Sequence, residues 1–318
     1  MNSRKHLFKC IASIIFFVIL MVFLGGSFYL VDFALVNTDG KNMEFSNERL
    51  KERYPHVSEW CDSMFNVNAM RDTFIVDEDG NRLHALYAAA PIQTRKTALI
   101  IHGYGCNSIQ YMYIGYLFHN LGMNIFLPDL YSHGLSDGED IQMGLKDADD
   151  VMLWSEVADD IFGYGGHTEM VVHGTSMGAA TAMILSGKEH KPFIKCYIED
   201  SGYTSAWDEF KFQLSEMFGL PSFPLLNISS VLTKIKFGWF ISEASPETYV
   251  TKCDKPMFFI HSDNDTFVPS WMVHPLYKAK KGTKYLWIVP KSPHTMAYHD
   301  YPEEYTRRIS DFLEKCNF

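Results

Sequence analysis

The sequence predicts an α/β protein with a mainly parallel sheet, helices on both faces and one antiparallel hairpin at its start. Three observations predict it. "DTFIVDEDGNRLHALYAA" alternates apolar and polar residues around Asp79-Gly80, a hairpin turn signal. Six short apolar runs follow: "TALIIHG", "NIFLPDL", "EMVVHG", "KCYIED", "PMFFIHSD" and "KYLWIVP". Each is bounded by turn residues and has the length of a buried strand. Helical periodicity lies between and after them, and strand–helix alternation is the signature of a parallel sheet. Val151, Trp154, Ala158 and Ile161 share one helix face; Tyr305, Ile309 and Phe312 share another, after Pro302 near a helix start.

The flanking elements follow in chain order. "MNSRKHLFK" carries Arg4, Lys5 and Lys9, and from Cys10 to Val31 the chain is uncharged. A run longer than about 18 residues can span a bilayer as a helix, and the basic flank keeps the N-terminus in the cytoplasm. The prediction is a membrane anchor over residues 1–36 with the rest of the chain extracytoplasmic. The alternative is a cleaved signal peptide with "LGGS" (Leu24–Ser27) as its cleavage region, followed by secretion. The anchor is preferred, because the apolar run continues past those glycines. Residues 37–71 read as a juxtamembrane helix, and residues 72–318 as the folded domain. Within it, about 203–250 has no strand pattern; Trp207, Phe210, Phe218, Phe223 and Trp239, with Pro221 and Pro224, read as a helical cap over one end of the sheet.

Composition narrows the function classes. The 318 residues are 47% apolar, enough for a large core, and carry a formal charge of −10. That balance argues against nucleic acid as a partner, which calls for a basic surface. The six cysteines form no Cys-x-x-Cys pair, so a structural zinc site has no support and no metal or cofactor is expected.

One junction carries chemistry. "VVHGTSMGAA" puts Ser176 inside Gly-x-Ser-x-Gly between a predicted strand and a predicted helix. Such a turn is too tight for Cβ atoms beside the serine, and it holds the hydroxyl at an exposed apex by the helix N-terminus. The bland reading is an ordinary tight turn. A serine nucleophile needs a base and an acid that orients the base, which in this architecture follow in the order Asp or Glu, then His. Two later strands end in loops with these residues. His294 in "SPHTMAY" is the predicted base, preferred over His299. Asp265 in "HSDNDTFVP" is the predicted acid, preferred over Asp263, with Asp200 as a further alternative. The oxyanion donors are assigned to the backbone N–H groups of Met177, next to the nucleophile, and Tyr104, in the loop after "TALIIHG". His102, His133 and His173 read as structural.

Taken together, "IIHGYG", "PDLYSHGLSDG", "HGTSMGAA", "SPETYV" leading into "KPMFFIHSDNDTFVP", and "SPHTMAY" resemble the α/β-hydrolase superfamily from about Thr73 to Phe318. More narrowly they are similar to serine hydrolases grouped with monoacylglycerol lipases and S33-type aminopeptidases. The resemblance implies an eight-stranded sheet, a lid inserted after strand six, and a metal-free triad of Ser176, Asp265 and His294 with Tyr104 and Met177 at the oxyanion. The chain departs from the pattern of many relatives at Ser132-His133-Gly134, where they have Gly-His-Gly. It departs again at His261-Ser262-Asp263-Asn264-Asp265, where an acidic neighbour is added. The expected activity is hydrolysis of a carboxylic ester with an apolar acyl group. Peptide hydrolysis is the second reading; it calls for an acidic group to hold a substrate amine, and Glu209, Glu216 and Glu243 are available, all expected at the surface. A third reading is an inactive domain used for binding, disfavoured because every required residue type is present.

Overall fold

The computed structural model describes residues 2–36, 39–188 and 191–318. Eight strands form one sheet: β1 (Met70–Val76), β2 (Arg82–Ala88), β3 (Lys96–Ile101), β4 (Asn124–Asp129), β5 (Glu169–Thr175), β6 (Ile194–Asp200), β7 (Met257–Ser262) and β8 (Lys284–Val289). Their order across the sheet is β1-β2-β4-β3-β5-β6-β7-β8. β1, β2 and β4 pair antiparallel; from β4 onward every pairing is parallel. The hairpin turns at Gly80, whose φ of +88° lies in the left-handed region that glycine adopts freely. β4 and β7 are buried along their length and β5 from Met170 onward, as expected of strands covered on both faces.

The helices are α1 (Asn2–Leu35), α2 (Met43–Arg53), α3 (Pro55–Asn66), α4 (Met112–Asn120), α5 (Asp147–Phe162), α6 (Met177–Ser186), α7 (Ala206–Phe218), α8 (Leu225–Phe237), α9 (Pro246–Val250), α10 (Val273–Ala279), α11 (Ala297–Asp300) and α12 (Pro302–Lys315). Two apolar cores result, one on each side of the sheet. On one side α5 presents Val151, Trp154 and Ala158 together with Met183 and Leu185 of α6. On the other α12 presents Tyr305, Ile309 and Phe312 together with Leu117 and Phe118 of α4. The strandless insertion between β6 and β7 holds α7, α8 and α9.

Two expectations change. The juxtamembrane segment is two helices, not one. Pro55 has no N–H to continue α2, so the chain breaks at Tyr54 and restarts with proline in the first helical turn. Its start at residue 37 lies outside the described residues. Both helices are packed into the folded domain: Leu50, Tyr54, Val57 and Cys61 are buried in the second core, with the Tyr54 ring stacked on Tyr113 at 4.7 Å between centroids.

The second change concerns the boundary at residue 36. α1 is long and apolar enough to cross a membrane, and its residues 5–22 are exposed. Its last third belongs to the folded domain. Ser27, Val31 and Leu35 recur every four residues on one helix face, and all three are buried. Ser27 Oγ donates to the Leu225 carbonyl at 3.1 Å, Ile141 N donates to the Leu35 carbonyl at 2.8 Å, and Lys236 pairs with Asp32 at 2.7 Å. Burying Val31 and Leu35 is worth about 1.5–3 kcal/mol each. A chain beginning at Asp39 should therefore melt roughly 10 °C below one beginning at Gly25, taking about 2–4 °C per kcal/mol for a domain of this size. Thermal melts of the two in the same detergent check this, and equal midpoints would contradict it.

Candidate active site

β5 runs into α6 through Gly174-Thr175-Ser176-Met177-Gly178. Ser176 has φ +56° and ψ −117°, a strained conformation for a residue with a side chain. The neighbours explain why it persists. A Cβ on Gly174 would drive into the Gly178 carbonyl, and one on Gly178 would drive into the Ile101 and His102 carbonyls of the adjacent loop. Only glycines let the strand, the turn and the β3 loop approach this closely. Ser176 N donates to the Asp200 carbonyl at 2.8 Å, and the Ser176 carbonyl accepts from Ala180 N at 3.0 Å in the first turn of α6.

The loops after β7 and β8 meet the serine. His294 Nε2 lies 2.9 Å from Ser176 Oγ, and His294 Nδ1 lies 2.6 Å from Asp265 Oδ2. Asp265 is held from three sides. Its Oδ1 accepts from Phe267 N at 3.0 Å and Val268 N at 2.9 Å, and His261 Nε2 stands 3.5 Å from Oδ2. His261 is itself bonded to the Val268 carbonyl at 2.9 Å, and burial pushes its pKa down, so it buttresses the carboxylate as a neutral ring. Phe267 packs over the His294 ring at 5.2 Å between centroids.

The competing residues point elsewhere. Asp263 is exposed and accepts from Lys291 N at 2.6 Å, tying the β7 and β8 loops together. His299 lies on α11, exposed, bonded to its neighbour Asp300. Asp200 is buried below the turn. Its carboxylate accepts from Ser201 Oγ and from the Tyr305 hydroxyl, both at 2.9 Å, while burial raises its pKa to about 6. The Tyr305 oxygen in turn accepts from His173 Nε2 at 2.8 Å, since its own proton goes to Asp200. Burial lowers the pKa of His173 to about 3, so the ring is neutral and carries its proton on Nε2. This His173–Tyr305–Asp200 line braces the floor under Ser176.

Met177 opens α6, where the first helical N–H groups have no partner within the helix. Tyr104 follows Gly103 in the loop after β3, and a Cβ on Gly103 would come to 3.4 Å of Ser176 Cβ. His102 fixes this loop: its Nδ1 donates to the Gly103 carbonyl at 2.8 Å, and its Nε2 accepts from Leu130 N at 3.0 Å. His133 accepts from Gly105 N at 3.3 Å, and burial lowers its pKa to about 3. Asp129, unremarked in the sequence, anchors the same region by accepting from Ser108 N at 2.7 Å, Leu135 N at 3.0 Å and His84 Nδ1 at 2.7 Å.

A cavity of about 310 Å³ opens beside Ser176. Phe33, Ala34, Met143, Phe210, Met217 and Phe267 are among its walls, with Tyr104, Met177 and Glu209. Glu209 corrects the expectation that the cap glutamates are all at the surface. It is 4% exposed on α7, whereas Glu216 and Glu243 are exposed. Its Oε1 accepts from Gln213 Nε2 at 2.9 Å and its Oε2 is buried without a partner. Burial, aided by the Asp265 charge and opposed by the Gln213 hydrogen bond, raises its pKa to about 8. Helix periodicity does not signal this: Ala206, Glu209 and Leu214 are the buried residues of α7, and the five-residue step from Glu209 to Leu214 is not a helical repeat. Among the described residues no group of His, Cys, Asp and Glu is arranged to hold a metal ion.

A doubly covered parallel sheet with a strained serine at a strand–helix turn defines an α/β hydrolase with a serine-centred site. Comparison with known proteins gives the family. Residues 116–317 match the Prolyl oligopeptidase family, Peptidase S9. The chain belongs to that family and is a serine hydrolase. It is 31% identical over 231 residues to the uncharacterized protein YqkD of Bacillus subtilis (strain 168), covering 73% of this chain and 75% of YqkD. The Pyrococcus furiosus esterase Pf2001 superposes with a TM-score of 0.64 at 23% identity, over 79% of this chain and 93% of that one. Est1E of Butyrivibrio proteoclasticus, solved with ferulic acid, gives 0.60 at 22% identity, over 76% of this chain and 98% of that one. The acylaminoacyl peptidase of Pyrococcus horikoshii gives 0.58 at 17% identity, over 77% of this chain and 41% of that one. At these identities the solved structures speak for the fold alone.

Proposed function

We propose that the protein is a membrane-anchored hydrolase of carboxylic esters with an apolar acyl group, working through Ser176, His294 and Asp265. Ser176 Oγ attacks the ester carbonyl as its proton passes to His294 Nε2. Asp265 holds the Nδ1–H tautomer and stabilises the imidazolium. The Met177 and Tyr104 N–H groups receive the oxyanion. The tetrahedral adduct collapses, the leaving alcohol takes the proton from Nε2, and an acyl-serine remains. Water, deprotonated by His294, attacks that ester; the acid leaves and the serine regains its proton. The similarity of the motifs to the monoacylglycerol lipase group supports the same reading.

The observation that carries ester over amide is the cavity beside the serine. Its walls are mainly apolar, and the one carboxyl among them, Glu209, is held neutral up to about pH 8. A neutral acid gives an acyl chain a tolerable neighbour but offers a substrate ammonium no counter-charge. The peptidase reading draws on the family match and on Glu209 itself, which an incoming ammonium would have to ionise. The two make opposite pH forecasts. For an ester, ionising Glu209 puts a charge against the acyl chain, so kcat/KM should fall as pH rises through about 8, and Glu209→Gln should abolish that falling limb. For an amine-bearing substrate, activity should rise as Glu209 ionises and be lost with Glu209→Gln. A pH profile of both proteins on one ester and one aminoacyl anilide separates them.

Anchoring is supported by Gly26 and Ser27. These small residues, at which a signal peptidase would cut, are where Leu225 packs: a Cβ on Gly26 would meet its Cδ2 at 3.5 Å. With Arg4, Lys5 and Lys9 on the cytoplasmic side, the catalytic domain is extracytoplasmic.

A further inference from the structure

We infer that α1 is a substrate-recognition element as well as an anchor: its Leu30, Val31, Phe33 and Ala34 wall an apolar path from Ser176 to the outer leaflet, by which long-chain esters dissolved in the bilayer reach the serine. This rests on the ester-hydrolase reading and adds the substrate's source.

Two cavities lie end to end along the helix. The one beside Ser176 has Phe33 and Ala34 in its wall. A second, of about 70 Å³, lies between α1, α7 and α8 and reaches Leu30 and Val31. They share Phe33, Ala34, Phe210, Gln213 and Met217 as walls, so they adjoin along α1. The Tyr104 hydroxyl, from the loop assigned to the oxyanion, donates to the Ala34 carbonyl at 2.9 Å. The helix is therefore tied directly to the catalytic loop.

Depth in the membrane follows from helix geometry. A hydrocarbon core of about 30 Å takes roughly 20 residues at about 1.5 Å each. Counted from Lys9, the last basic residue of the flank, the outer edge falls near Tyr29, one residue before the path's first wall residue. Ala34 then lies only about 8 Å above that edge. The cap is shaped for the same depth. Phe218 at the end of α7 meets Phe33 edge-on at 5.7 Å, and Leu225 at the start of α8 packs at Gly26 and Ser27. The loop between them therefore descends along α1 into the span. It carries Leu220 and Phe223, 41% and 74% exposed. Large apolar side chains at an interfacial depth suit a lipid surface better than water.

The test uses full-length protein in phosphatidylcholine vesicles, with two esters sharing a leaving group: 4-methylumbelliferyl acetate in solution and 4-methylumbelliferyl oleate in the bilayer. Wild type should hydrolyse oleate at least tenfold faster when it shares the enzyme's own vesicles than when it is supplied in separate ones. Ala34→Trp narrows the path where the cavities adjoin and should lower the oleate-to-acetate ratio at least tenfold. Leu220→Ser with Phe223→Ser, in the walls of neither cavity and away from the one beside Ser176, should lower oleate turnover similarly and leave acetate turnover unchanged. Labelling of Ser176 by a fluorophosphonate reports folding in each variant. Equal rates from shared and separate vesicles, or an unchanged ratio in both variants, would overturn the inference. Acetate turnover without oleate turnover would overturn it while the ester reading stood. Turnover of neither ester by wild type would overturn both.

Discussion

Ser176→Ala should abolish covalent labelling by a fluorophosphonate and lower ester turnover by about 10⁶-fold, leaving the fold intact. The magnitude follows from the role proposed: with the hydroxyl gone no acyl-enzyme forms, and losing a nucleophile or its base alone costs about as much as losing the whole constellation. The fold should survive, because the strain at φ +56° is carried by backbone contacts around Gly174 and Gly178, which alanine leaves in place. Circular dichroism with an unchanged melting curve, beside the labelling gel, checks both halves. A labelled alanine variant would mean that another residue carries the reaction.

Asp265→Asn should lower kcat by about 10⁴-fold, and Asp263→Asn by no more than about threefold. An amide in place of Asp265 keeps the shape but presents an N–H to one side. The Phe267 and Val268 N–H groups claim the carbonyl oxygen, so the NH2 faces His294 Nδ1 and drives the ring to the wrong tautomer, with Nε2 protonated toward Ser176. Asp263 only ties Lys291 N at the surface, where substitutions change stability by about 0.5 kcal/mol or less. Comparable losses in both variants would remove the distinction the geometry draws between them.

What could be read before the structure was local. The strand ends and the Gly-x-Ser-x-Gly turn are encoded within a few residues, because a buried strand must be apolar and a tight turn must be glycine. The hairpin at Gly80 and the helix face of Tyr305, Ile309 and Phe312 are of the same kind. What could not be read depends on pairings distant along the chain. Ser27 meets Leu225 across 198 residues, so α1 looked like a detachable anchor although its last third is built into the core. Glu209 reads as a surface residue on an amphipathic helix; in the fold its partner Gln213 is tied to the Phe267 carbonyl, in the loop after β7 and 54 residues further on. The His173–Tyr305–Asp200 line joins two strands and the last helix, and no local pattern announces it. The break at Pro55 is a local signal that a single juxtamembrane helix passes over; the burial of the two resulting helices in the second core rests on contacts distant along the chain.

Serine-dependent hydrolysis of esters with apolar acyl groups is to be measured with full-length enzyme in detergent, beside Ser176→Ala, on p-nitrophenyl esters of increasing acyl length and on aminoacyl-p-nitroanilides. Ester turnover should depend on the serine and rise with acyl length to an optimum, with anilides far slower. Serine-dependent anilide turnover with esters weak or absent would contradict the ester reading and give the site to peptides.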